Sequence, residues 1–205
     1  MLSLSIAQKP TQPREQIIRI FSIDPGLTSL GWSIIEYNVT NNLKTVTRFG
    51  TITGKSLLKK QKDLQDVFEK RHIIVWELEP ELTALVEAMK PQFIVVEEPF
   101  AHTYISAYVA LVLVVHTVRT VARKTIGRDI YLIAPKEGKK AISNDGTSGK
   151  EAVQKAVMND PTITIKKCKQ NNEDELTEHA CDSIAVGVAF IQNQLPAILA
   201  SGIGY

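Results

Sequence analysis

The sequence predicts an α/β fold: a five-stranded mixed sheet, three antiparallel strands then two parallel ones, flanked by helices. Two observations carry the prediction. The first quarter of the chain holds three strand-like stretches, and the first two are joined by a tight Pro-Gly connection. Two later apolar runs, QFIVVE and DIYLIA, are each reached through a segment of helical period, which favours parallel pairing by crossover.

Taken in order, Ile17–Ile35 is an apolar run that ends in Asp24, turns through Pro25 and Gly26, and returns as a second strand. Lys44–Thr53 alternates and closes the meander. Ser56–Lys90 repeats its apolar residues near helical spacing, with Pro80 expected to break or kink it. Gln92–Glu97 is a short buried strand that again terminates in an acid. Ala101–Lys124 reads as a helix capped near Gly127; its middle, ISAYVALVLVV, is apolar on nearly every face and calls for a partner besides the sheet. Asp129–Ala134 is the fifth strand, stopped by Pro135. Lys136–Gly149 reads as a polar, lysine-bearing loop, and Ser148 with Glu151 makes a capping-box start for the next helix. Asn159–Asn172 reads as irregular and basic, and Asn172 with Glu175 opens a last helix over Glu173–Gln192.

Composition is that of a soluble globular protein, with 44% hydrophobic and 22% charged residues, and supports one substantial core. We expect a flexible tail over residues 1–16 and a single domain over 17–205. A net charge of +2 does not by itself argue for nucleic acid. Cys168 and Cys181 form no CxxC pair and read as free thiols of a reducing, intracellular compartment, the cytoplasm first, with an organelle or a virus as alternative sources. The apolar run Ile105–Val115 is too short to cross a membrane, so no membrane partner is expected.

A carboxylate at the end of a buried strand is costly unless compensated, by a divalent cation or, as Asp24 allows, by capping its own turn. If the strands ending in Asp24 and Glu97 are parallel neighbours, both acids emerge at one sheet end. His179 and Asp182 lie three apart on the last helix, hence on one face. Together these side chains would bind one or two Mg²⁺ or Mn²⁺ ions, which at a phosphodiester activate water and stabilise the leaving oxygen. Each has a plainer alternative: Asp182 a surface acid, His179 a structural histidine, Glu98 in place of Glu97, Glu175 or Glu178 as the helix ligand. Lys136, Lys139, Lys140 and Lys150 flank the loop after the fifth strand and could meet phosphates, although Lys140 reads better as solvated.

Asp24-Pro25-Gly26 followed by Gly31-Trp32, then IVVEEPF, IAPKEGKK and HACDSIAVGVA, resemble the RuvC-type Holliday junction resolvases from about Ile18 to Ile191. The resemblance implies an RNase H-like fold, a homodimer, and divalent-metal-dependent paired nicking of four-way DNA junctions. It implies a metal set of Asp24, Glu97, His179 and Asp182 and a catalytic or DNA-contacting Lys139. It also implies a junction-contacting Lys150 and a Phe100 acting at the crossover. Glu98 stands where the family commonly has Gln, His179 where many members have an acid, and the third inter-strand segment is long, marking a divergent branch, viral origin included. Three rival readings stand beside it: an RNase H-fold nuclease for other branched DNA or RNA–DNA hybrid, a junction-binding protein without catalysis, and an actin-like ATPase or sugar kinase, whose phosphate hairpin IDPGLTSLGWSI resembles. The last needs a second domain that 205 residues cannot supply, so no nucleotide cofactor is expected.

Overall fold

The computed structural model describes residues 15–100, 104–143, 145–147, 149–166 and 176–202. Strands β1 (Ile17–Asp24), β2 (Ser29–Asn38) and β3 (Leu43–Thr53) form the antiparallel meander. Then follow α1 (Gly54–Lys60), a 3₁₀ turn (Lys62–Leu64), α2 (Lys70–Met89) and β4 (Phe93–Glu97). Helix α3 (Ile105–Thr125) leads to β5 (Tyr131–Ile133), α4 (Pro135–Ser143) and α5 (Lys150–Asn159). A short β6 (Ile163–Ile165) precedes α6 (Glu178–Asn193) and α7 (Leu195–Ala200).

The sheet has six strands, not five, in the order β5-β4-β1-β2-β3-β6, with β4 and β5 parallel to β1 as expected. The sixth strand arises inside the stretch read as irregular. It pairs in parallel with β3 through Lys44, Thr45 and Val46. Lys44 is only 4% exposed, and its Nζ donates to Thr162 Oγ1 at 2.9 Å, which compensates its burial.

Alternation along the strands divides the core into two layers. Ile18 and Ile20 of β1, Ile35 of β2, and Phe93 and Val95 of β4 pack with α5, α6 and α7. Phe21, Ile23, Trp32, Ile34, Ile94 and Val96 face the other way, onto α1, α2 and α3. A bulge inserts Thr47 opposite Ile34 and Ile35, so that Val46 and Phe49 both reach the α6 layer.

Several boundaries differ from expectation. The segment Ser56–Lys90 is two α-helices with a 3₁₀ turn between them, and α2 runs unbroken through Pro80. Pro80 lies on the exposed side, so the carbonyl it leaves without an amide partner is within reach of water. Lys136–Gly149 is not all loop, because Gly138, Ala141 and Ile142 share one face and pack α4 on α6. Helix α6 begins at Glu178, capped by Thr177 Oγ1 accepting from Ala180 N at 3.1 Å. The capping pairs invoked at Ser148 and at Asn172–Glu175, together with Cys168 and residues 1–14 of the tail, lie outside the described residues.

Helix α3 is, by length and composition, apolar enough to cross a membrane, contrary to the reading from Ile105–Val115 alone. Its residues Val114, Val115, Val118, Val121 and Ala122 are nonetheless buried in the second layer of the core.

Candidate active site

Parity decides which acids meet. Asp24 follows Ile20 and Ser22 on the α6 face of β1, and Glu97 follows Phe93 and Val95 on the α6 face of β4. The register pairs Ile23 with Val96, so the two acids leave neighbouring parallel strands side by side. Glu98 has the opposite parity, is exposed, and donates its amide to Ile133 O at 2.8 Å. The alternative of Glu98 in place of Glu97 therefore falls.

Small residues let α6 descend onto these strands. An ideal Cβ on Gly31 would lie 2.0 Å from His179 O, and one on Gly187 2.5 Å from Ile35 Cδ1. Between them a buried hydroxyl chain links the layers, with Ser22 Oγ 2.8 Å from Ser33 Oγ and Ser183 Oγ donating to Ser33 Oγ at 3.0 Å. At the helix start, Thr51 and Thr177 hydroxyls meet at 2.7 Å and tie the cap to β3. The sequence reading gives none of these positions a packing role, although Gly31, Ser183 and Gly187 fall within its motifs, because isolated Gly, Ser and Thr carry no periodic signal.

So placed, α6 brings His179 Nδ1 to 2.9 Å from Asp24 Oδ2. That hydrogen bond raises the imidazole pKa, burial opposes it, and the charges of Asp24, Glu178 and Asp182 add to the rise. Burial pushes Glu97 up to about 7, repulsion from Asp24 and Asp182 adds to it, and Lys139 works against it. Lys139 comes from α4 and lines a cleft of about 210 Å³ with Glu97, Asp182, Pro135, Gly138 and Ala185. The expected set Asp24, Glu97, His179, Asp182 and Lys139 is thus brought to one place.

No other expected residue lines this cleft among the described residues. Lys136 is exposed at the start of α4 and does not line the cleft. Lys150 opens α5, and its side chain lies outside the described residues. Phe100 is 61% exposed and so is not a core residue. Glu178 is the first residue of α6, and Glu175 lies outside the described residues. The buried Cys181 thiol is pushed up to about 12 by burial and the neighbouring Asp182 and Glu178, which disfavours the reactive thiolate.

The fold is that of the RNase H-like resolvases. Thermus thermophilus RuvC superposes with a TM-score of 0.64 at 16% identity, covering 89% of this chain and 97% of that one. The yeast mitochondrial Holliday junction resolvase Ydc2 superposes with a TM-score of 0.57 at 12% identity, covering 87% and 80%. In sequence, the family model described as crossover junction endodeoxyribonuclease RuvC matches residues 20–190. The RuvC protein of Finegoldia magna is 25% identical over 177 residues, 85% of this chain and 93% of that protein. The chain belongs to the RuvC family of crossover junction endodeoxyribonucleases.

Nucleases of this family use divalent metal ions. Among the described residues no three His, Cys, Asp or Glu side chains form a closed cluster around one point. The donor chemistry nonetheless fits a hard cation: burial first, and then repulsion from Asp24 and Asp182, hold Glu97 near 7, and a divalent ion would offset both.

Proposed function

We propose that this protein is a homodimeric, Mg²⁺- or Mn²⁺-dependent endonuclease that resolves four-way DNA junctions by paired symmetric nicks, using two ions per site. The observation that carries the reading is the convergence of Asp24, Glu97 and Asp182, with Glu97 raised to about 7 by burial and by its two acidic neighbours. Asp24, Glu97 and Asp182 would hold the ions, with His179 as the fourth ligand. When bound, the ions supply an activated water and charge stabilisation at the leaving oxygen.

The chain's own groups account for the rest. Asp24 and His179 orient each other through their 2.9 Å contact. Lys139, in the cleft beside Glu97 and Asp182, is placed to receive a phosphate oxygen and to offset the acidity that would otherwise repel the backbone. Lys136, Lys150 and the exposed Phe100 would contact the junction farther out.

Dimerisation is supported by α3, which leaves Ile105 79%, Val109 40% and Val112 40% exposed, next to Tyr104 at 72%. These apolar side chains on successive turns are suited to a twofold interface that sets two sites against opposite strands.

The test is incubation of the purified protein with a synthetic four-way junction, with and without Mg²⁺. Symmetric paired nicks only with metal are expected. Nicking of flaps or RNA–DNA hybrids with an untouched junction would move the assignment to another substrate.

A further inference from the structure

The acidic centre sits on a rim of the sheet where phosphates are repelled, so a DNA backbone lying across it needs cations on both sides. On one side β5 runs into α4 and supplies Lys139. On the other side β3 ends at Thr53 and runs directly into α1. Strands β5 and β3 are four positions apart in the sheet order, about 19 Å at ordinary strand spacing.

Helix α1 is fixed to the same rim. Gly54 N donates to Thr28 O at 2.9 Å, and a Cβ on Gly54 would lie 2.5 Å from Leu27 O, so the helix starts against the turn that follows Asp24. Thr53 Oγ1 caps it by accepting from Ser56 N at 3.2 Å, and Leu57, 2% exposed, anchors it in the core. Lys55 and Lys59 are one turn apart on the side of α1 opposite Leu57. Both are exposed, and neither makes an ion pair among the described residues. Lys60, their neighbour, is instead paired with Glu81. Four residues of helix rise about 6 Å, close to the axial rise of two nucleotides in one strand.

We propose that Lys55 and Lys59, at the same rim as the carboxylates but on the α2–α3 side of the sheet and four strands from β5, form a second phosphate-contact strip that holds the backbone of one junction arm. The inference rests on the junction-nuclease reading above and adds to it a contact surface on the segment between β3 and β4.

The experiment is junction binding without divalent metal over a series of salt concentrations. Two lost contacts lower the slope of log K against log salt by about 1.8, so Lys55→Ala with Lys59→Ala should show that drop. Lys55→Arg with Lys59→Arg should restore the parent slope. Lys60→Ala, the same charge change on the same helix, should leave the slope at the parent value. Junctions with arms cut short should bring the parent's slope down to that of the double alanine variant. An unchanged slope in the double alanine variant, with the parent binding and nicking normally, overturns the strip and leaves the nuclease reading standing. A parent that neither binds nor nicks the junction overturns both.

Discussion

Glu97 and Asp129 are two carboxylates in opposite circumstances. Asp129 is on the surface between two guanidiniums: Arg123 Nη2 at 2.6 Å holds it down at about 2, helped by the Ile130 amide and by Arg119 Nε at 2.8 Å. Glu97 is buried among acids and stands at about 7, with Lys139 working against the rise. A carboxylate that the fold has satisfied joins a helix to the strand beyond it; one that the fold leaves in repulsion is held for something the chain does not itself contain.

Four predictions break or sharpen that contrast, and the largest concerns chemistry. Asp24→Asn, Glu97→Gln and Asp182→Asn each keep shape and remove ligand charge, so nicking should fall by about a hundredfold or more while junction binding persists. Near-parental cutting by all three would remove the site assignment; mobility shifts and nicking assays on the same preparations separate the two effects.

The second concerns stability of the metal-free protein. Glu97 has its folded pKa raised from 4.5 to about 7, so the folded chain holds more protons than the unfolded one between those values. Stability contributed by the protonated form is full below about 4.5 and is lost as pH rises through 7, by up to about 3 kcal/mol. Denaturant melts at pH 5 and pH 8 should show the loss in the parent and a much smaller one in Glu97→Gln. Mg²⁺ should raise the parent's Tm at pH 8 more than the variant's.

A third variant tests whether closeness of α6 makes the repulsion. In Gly31→Ala the new methyl would overlap His179 O, whose contact with an ideal Cβ is 2.0 Å, so α6 must shift. A cost of about 1–3 kcal/mol is expected, together with a Glu97 pKa closer to its ordinary value by NMR titration. An unmoved titration in a destabilised variant would show that Asp182 contributes little to the rise.

The smallest effect belongs to Asp129. Its pairs are solvent-screened, so Asp129→Asn should cost no more than about 1 kcal/mol and leave nicking at the parental rate. Because its folded pKa is lowered to about 2, its contribution is present above about 4 and disappears as pH falls through 2. A larger loss of nicking than of stability would contradict its purely structural standing.

Much of the site could be read in the chain. Asp24 and Glu97 terminate apolar runs, and the spacing of His179 and Asp182 puts both on one face of α6 whatever surrounds it. The ordered motifs pointed to the family that the family match shows. These signals are local, carried by period and by neighbours a few residues away. Glu97 and Glu98, by contrast, are equivalent until it is known which face of β4 α6 covers, a fact made by residues more than eighty positions later. Strand β6 is three residues long, too short for a period of two to show, and exists through its pairing with Lys44–Val46. Helix α4 hid in a lysine-rich stretch because its apolar face is only Gly138, Ala141 and Ile142, and packing on α6 gives that face its meaning. The strand ends and their acids were determined by the sequence alone; which acids meet, and how strongly they repel, was decided when Gly31, Ser33 and Gly187 let one helix come down onto the sheet, because burial and electrostatic energy depend on distances that only the assembled layers define.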